Sequence, residues 1–177
     1  DIDLSGEISG FPIGYEITAI QNVFSGKAIT SFTPPASLTT IGANAFKNCS
    51  SLTNIVFPDN LAVINTSAFE NCTALKQIIL PDSPHIIGDY AFRNIGAELV
   101  SFGKKSVTIK NSAFINSPAV KRIYFRGDAP NMANGYAFQN SAKNNADSTL
   151  ANKTRCYFIP FGNSTWDYVN AAQLLND

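Results

Sequence analysis

The stretch "NTSAFENCTALKQIILPD", residues 65–82, follows "NAFKNCSSLTNIVFPD", residues 44–59, and repeats it almost type for type. Working outward from this pair, a small residue followed by Phe recurs at Ala45-Phe46, Ala68-Phe69, Ala91-Phe92, Ala113-Phe114 and Ala137-Phe138, with Val23-Phe24 as a looser first copy. Successive Phe residues are 22, 23, 23, 22 and 24 apart, so the chain carries six copies of one unit. A unit this short cannot bury its own apolar face and must stack on its neighbours.

Each column of the repeat has a structural reading. Five residues before the Phe stand Ile41, Ile64, Ile87 and Ile109, with Ala19 and Ala133 in the outer copies, an apolar column that faces a core. Two residues after it stand Gly26, Asn48, Asn71, Asn94, Asn116 and Asn140, the types that best tolerate a left-handed backbone. The pattern predicts a single helical turn carrying Ala-Phe, ended by that left-handed residue. Next, "LTNIVF" (52–57), "LKQIIL" (75–80) and "VKRIYF" (120–125) predict strands with alternating inward residues: Ile55 and Phe57, Ile78 and Leu80, Ile123 and Phe125. Pro35, Pro58, Pro81 and Pro160 end these strands, having no N–H to give a ladder, and Asp59 and Asp82 fit the turns that follow. Two departures stand out. "LVSFGKKSV" puts Lys104 where an apolar residue should follow Phe102, predicting an irregularity, and "SAKNNADSTLANK" at 141–153 reads as an inserted surface loop.

The strand pattern fits the L-x-x-L-x-L of the leucine-rich repeat, and the Ile-x-x-x-Ala-Phe-x-x-Cys of "INTSAFENC" resembles the BspA-like subclass of that family. The resemblance covers about residues 17–160. It implies a β-rich, right-handed leucine-rich-repeat solenoid with short parallel strands. Residues 1–16 resemble the lead-in and cap of the first repeat, and residues 161–177 a C-terminal cap. It further implies an extracellular or cell-surface location, anchored where needed through a segment outside this chain, and adhesion to matrix proteins or other cells.

Composition narrows the partners. Lys plus Arg and Asp plus Glu each total 13, so no basic excess attracts a phosphate backbone, and nucleic acid is not an expected partner. No apolar run approaches the roughly 20 residues of a membrane span. The chain opens "DIDLSGEISG", with no Met and no charged-then-apolar leader, as a mature or trimmed fragment does.

Catalytic or metal chemistry has little to use. Cys49 and Cys72 share a column with Ile95, Ser117 and Ser141, which calls for a compact buried filler and reduced thiols. No Cys-x-x-Cys accompanies them, so no zinc or other cofactor is expected. Cys156 falls in an outward strand column near the C-terminal cap. His85 is the sole histidine, read as a surface or turn residue, and neither a Gly-x-Ser-x-Gly elbow nor a glycine-rich phosphate loop is present. Paired carboxylates for glycoside cleavage have no cleft predicted by the spacing. The expectation is a non-enzymatic protein.

The outward strand face carries the functional signal. Its central column reads Thr33, Val56, Ile79, Gly103, Tyr124, Phe158, flanked by Lys76, Gln77, Lys121, Arg122 and Arg155. Aromatics and cations gather toward the C-terminal end, the types enriched where partners dock. Lys76, Lys121, Arg122, Tyr124, Arg155 and Phe158 are thus candidate ligand-binding residues for an extracellular protein or an acidic glycan. A glycan-binding accessory module and a passive spacer in a longer surface protein are the rival readings. Arg126-Gly127-Asp128 is an RGD tripeptide, read either as a receptor motif or as a turn. Asn48-Cys49-Ser50 and Asn71-Cys72-Thr73 match glycosylation sequons but coincide with the Asn column, and Asp147-Ser148-Thr149 resembles a bacterial O-glycosylation acceptor.

Overall fold

The computed structural model describes residues 2–3, 16–83, 85–128, 130–132, 136–138, 141 and 155–158, with the backbone alone for 2–3 and 155–158. The predicted 141–153 insertion beyond Ser141, the C-terminal cap at 161–177, most of the N-terminal cap, Pro160, Asn140, Ala133 and the Asp147-Ser148-Thr149 acceptor lie outside these residues.

Short strands alternate between two sides of a coil. On one side run β1 (Ile2–Asp3), β3 (Ser31–Thr33), β5 (Asn54–Ile55), β7 (Gln77–Ile79), β9 (Leu99–Phe102), β11 (Arg122–Phe125) and β13 (Arg155–Phe158). On the other run β2 (Ala19–Ile20), β4 (Thr40–Ile41), β6 (Val63–Ile64), β8 (His85–Ile87), β10 (Val107–Ile109) and β12 (Asn131–Met132). The second set forms one six-stranded sheet, and the first forms sheets β1-β3-β5 and β7-β9-β11-β13. Every pairing is parallel and joins equivalent strands of adjacent copies, β1 adding its strand to β3 at the N-terminal end.

Stacking converts each sequence column into a ladder. Phe24, Phe46, Phe69, Phe92, Phe114 and Phe138 form one continuous pile with centroids 5.1, 5.0, 5.2, 5.0 and 4.8 Å apart, the spacing of adjacent strands. Ile55, Phe57, Ile78, Leu80, Ile123 and Phe125, the predicted inward residues, are all buried.

The Ala-Phe segment is a left-handed-punctuated turn rather than a helical one. The Asn column has positive φ at Asn48 (61°), Asn71 (63°), Asn94 (54°) and Asn116 (57°), with Gly26 at 70°. A second positive φ lies four residues earlier, at Asn22, Asn44, Ser67, Tyr90 and Ser112. Only three residues separate the two, too few for a full α-helical turn of 3.6 residues. Amides instead alternate: Lys47 N and Cys49 N bond Asn44 O and Phe46 O within the coil, while Phe46 N and Asn48 N reach Ala68 O and Glu70 O on the next. Each backbone donor is thereby satisfied and the coils are stitched together. The exposed Asn side chains add an amide ladder, Asn71 Nδ2 to Asn48 Oδ1 at 2.8 Å and Asn94 Nδ2 to Asn71 Oδ1 at 2.9 Å.

Register corrects several column assignments. Ile20, not Ala19, pairs with Ile41, and Met132, not Ala133, pairs with Ile109, because the outer copies space their strand differently from the Phe. The "LVSF" strand is regular: Val100 and Phe102 pair with Ile123 and Phe125, and the missing residue lies earlier, at Gly96. There one glycine stands where the neighbouring copies have two residues, and a Cβ on it would lie 1.9 Å from Thr73 O.

Candidate binding face

The pleat sends Ile55 and Ile78 into the core and turns Asn54, Val56, Gln77 and Ile79 outward. The outward column, read from the register, continues Ile79, Ser101, Tyr124, Tyr157. Ser101 takes the place assigned to Gly103, and Tyr157 that assigned to Phe158. Phe158 registers with Phe125 and Cys156 with Ile123, and neither registers with Tyr124. The spacing error arises because the last copy carries extra residues ahead of its strand.

The inward aliphatics Ile55 and Ile78 are buried, whereas their chain neighbours Val56 and Ile79 are 58% and 48% exposed. They floor a shallow groove of about 870 Å³ walled by Asn54 and Gln77 on the strand side and by Asp59, Asp82, Lys105 and Arg126 on the turn side. The polar walls combine amides, which donate and accept, with charges of both signs. The sequence reading placed its emphasis nearer the C-terminal end and missed this groove; the signal available was Val56 and Ile79 at positions that alternation assigns to solvent.

Toward the C-terminal end, Lys76 and Arg122 are exposed, Tyr124 is half-buried, and Arg155 registers with Arg122. Lys121 is not a free cation: its Nζ donates to Glu98 Oε1 at 2.9 Å. That bond, with the charges of Lys121, Arg122 and Lys76, holds the Glu98 carboxyl below its ordinary range. Glu98 thus offsets part of the positive cluster.

The Arg-Gly-Asp residues are engaged by the preceding coils. Arg126 Nε donates to Phe102 O and Nη2 to Leu80 O, both at 3.0 Å, and Nη2 lies 3.3 Å from Asp82 Oδ1. Gly127 passes so close to Lys104 that a Cβ would lie 1.8 Å from its carbonyl oxygen, and Asp128 accepts from Ser106 Oγ at 3.3 Å.

Other candidates of the sequence take structural places. His85 is buried at 3% exposure in β8, not at the surface, with Nε2 3.0 Å from Pro81 O and Nδ1 without a partner. Burial lowers its pKa, partly opposed by the Pro81 and Leu61 carbonyls, so the ring is neutral near pH 7. Cys49 and Cys72 are free and buried, and each does more than fill space: Cys49 Sγ donates to Phe24 O at 2.9 Å and Cys72 Sγ to Phe46 O at 3.1 Å. Ser117 and Ser141 donate likewise to Phe92 O and Phe114 O, which explains the Cys/Ser alternation. Burial pushes both thiols up, away from reactive thiolate. Among the described residues no three His, Cys, Asp or Glu converge as metal ligands, and no helix is long and apolar enough to cross a membrane.

Stacked parallel strands, a Phe pile and a polar-walled exposed face define a β-solenoid built from repeats. The chain belongs to the BspA-type leucine-rich repeat region family, whose pattern matches residues 18–145 in six copies. That family supports a protein-interaction or repeat-scaffold role, is generally non-enzymatic, and is typical of bacterial surface or secreted proteins. The fold is similar to the crystal structure of a leucine-rich repeat protein from Bacteroides ovatus, with 23% identity and a TM-score of 0.51 over 66% of this chain and 37% of that one. The chain therefore spans little more than a third of that protein's length. No curated protein matches it.

Proposed function

We propose that the chain is a non-catalytic recognition module of an extracellular or cell-surface protein, and that it binds a protein ligand on the exposed face of β5, β7, β9 and β11. The observation that carries this reading is the pair Val56 and Ile79, both exposed and both lining one groove with polar walls. An apolar centre with a polar rim is the arrangement of a docking surface. Arg122 and Tyr124 extend the same face toward the C-terminal end, where Lys76, Lys121 and Arg155 flank it.

The test is binding of the full chain to an array of matrix proteins and glycans, beside a Val56→Asp/Ile79→Asp protein and an Arg122→Ala/Tyr124→Ala protein. Loss of a protein hit in the first variant supports the groove as the working surface. Glycan hits lost only in the second variant favour a glycan-binding module, whose mark is the cationic, aromatic end of the face. Absence of any hit from a folded wild-type chain favours the spacer.

A further inference from the structure

The groove is not electrostatically uniform. In its middle, Asp82 lies 3.1 Å from Lys104 Nζ and 3.3 Å from Arg126 Nη2, so its carboxylate is ion-paired with both cations. Lys104 is the chief cause that holds the Asp82 carboxyl below its ordinary range. Asp59 and Lys105 line the same groove, are exposed, and have no ion pair among the described residues. In the repeat, Asp59 occupies the column of Asp82 and Lys104, one coil before Asp82, while Lys105 follows Lys104. An unpaired carboxylate and an unpaired ammonium therefore stand two coils apart, roughly 10 Å along the solenoid. The aliphatic pair Val56 and Ile79 lines the same groove beside them, on its strand side.

Resting on the reading that this face binds protein, we propose that the groove takes an extended polypeptide segment bearing one basic and one acidic side chain four residues apart, with an apolar side chain midway between them, so that all three share one face of the segment. An extended chain advances about 3.3 Å per residue, so residues four apart span about 13 Å, and the flexible charged side chains close the difference to charges about 10 Å apart. The basic side chain meets Asp59, the acidic one Lys105, and the apolar one Val56 and Ile79. Asn54 and Gln77 supply amide donors and acceptors to the segment's backbone. The floor presents aliphatic groups, and its one aromatic neighbour, Phe57, is only 7% exposed, so no ring is offered for a sugar to stack on.

A displayed library of random dodecapeptides, selected against the full chain and against Asp59→Lys and Lys105→Glu proteins with unchanged melting curves, tests the assignment. Wild type is expected to enrich peptides with one charge of each sign at the stated spacing; Asp59→Lys, peptides acidic at both ends; Lys105→Glu, peptides basic at both ends. With a wild-type-selected peptide, Asp59→Asn should weaken binding about two- to fivefold, the range for an exposed ion pair. Enrichment of one charge pattern by all three proteins overturns the proposal. So does failure to enrich any peptide, and if glycans then bind and are lost with Val56→Asp/Ile79→Asp, the binding face itself survives. If selected peptides bind the Val56→Asp/Ile79→Asp protein as well as wild type, the reading of the face falls along with the proposal.

Discussion

Phe69→Ala probes the stacking that defines the fold. Phe69 is fully buried between Phe46 and Phe92, with centroids 5.0 and 5.2 Å away, ring planes within 6° and 3°, and Phe57 edge-on at 5.8 Å. Truncating a buried Phe costs about 3–5 kcal/mol. Because both stacked partners lose a face, about 4 kcal/mol is expected here, a large share of the roughly 5–15 kcal/mol that holds a domain folded. Phe24, the first Phe of the pile among the described residues, is 8% exposed and has one stacked neighbour among them, so Phe24→Ala should cost about half as much. In urea unfolding followed by circular dichroism, with a slope of about 2 kcal/mol per molar, Phe69→Ala should lower the midpoint by about 2 M and Phe24→Ala by about 1 M. A shift below about 0.5 M for Phe69→Ala, or equal shifts for the two, refutes the idea that the pile is a cooperative core.

Gly96→Ala should destabilise by about 2–4 kcal/mol in the same assay, because its Cβ would collide with Thr73 O at 1.9 Å, whereas Gly26→Asn, with nothing within 4 Å and the residue type of its column, should change stability by less than about 1 kcal/mol. For Glu70, burial raises the carboxyl pKa, but hydrogen bonds from Lys47 and Ser67 and the charges of Lys47 (2.9 Å) and Arg93 (3.5 Å) bring it below the ordinary value. Its stabilisation is therefore complete above about pH 4.5 and lost as pH falls through the depressed folded pKa; melting from pH 6 to 3 should fall less steeply in Glu70→Gln. His85 has a lowered folded pKa, so stability should decline as pH drops from about 6.5 toward that value, where the unfolded chain takes up a proton that the buried ring refuses. His85→Val, which copies its register partner Val107, should remove that decline with little cost at pH 7.5, as thermal melts across pH 5–8 will show.

The repeat made the architecture legible because stacking forces one environment on each column. The alternation of Ile55 with Phe57 and of Ile78 with Leu80 names the buried side, and the Asn column names the left-handed backbone. Where copies differ in length, counting from the Phe misleads: it puts Ala19 where the register has Ile20, and Phe158 beside Tyr124 where the register has Tyr157. Insertions shift a count but not a hydrogen-bonded register. The turn was read as helical because one left-handed position is visible as Asn or Gly, while the second is held by Asn, Ser or Tyr and leaves no single residue signature. His85 was misplaced because its column partner Ala62 is small enough to pass for a turn residue, although Val107 on the other side packs inward. The groove depends on which charges neutralise which. The sequence offers Lys121 as a ligand-binding candidate and Arg126 as part of a receptor motif or turn, but it does not show that Glu98, Asp82 and two carbonyls engage them.

Three exposed aliphatic side chains report which face works, Val56 and Ile79 on the groove and Ile86 on the opposite sheet. The most direct measurement is a methyl NMR titration of the full chain with a peptide selected on it. Shifts at Val56 and Ile79, with Ile86 unmoved, are predicted; shifts at Ile86 with Val56 and Ile79 unmoved would contradict the account.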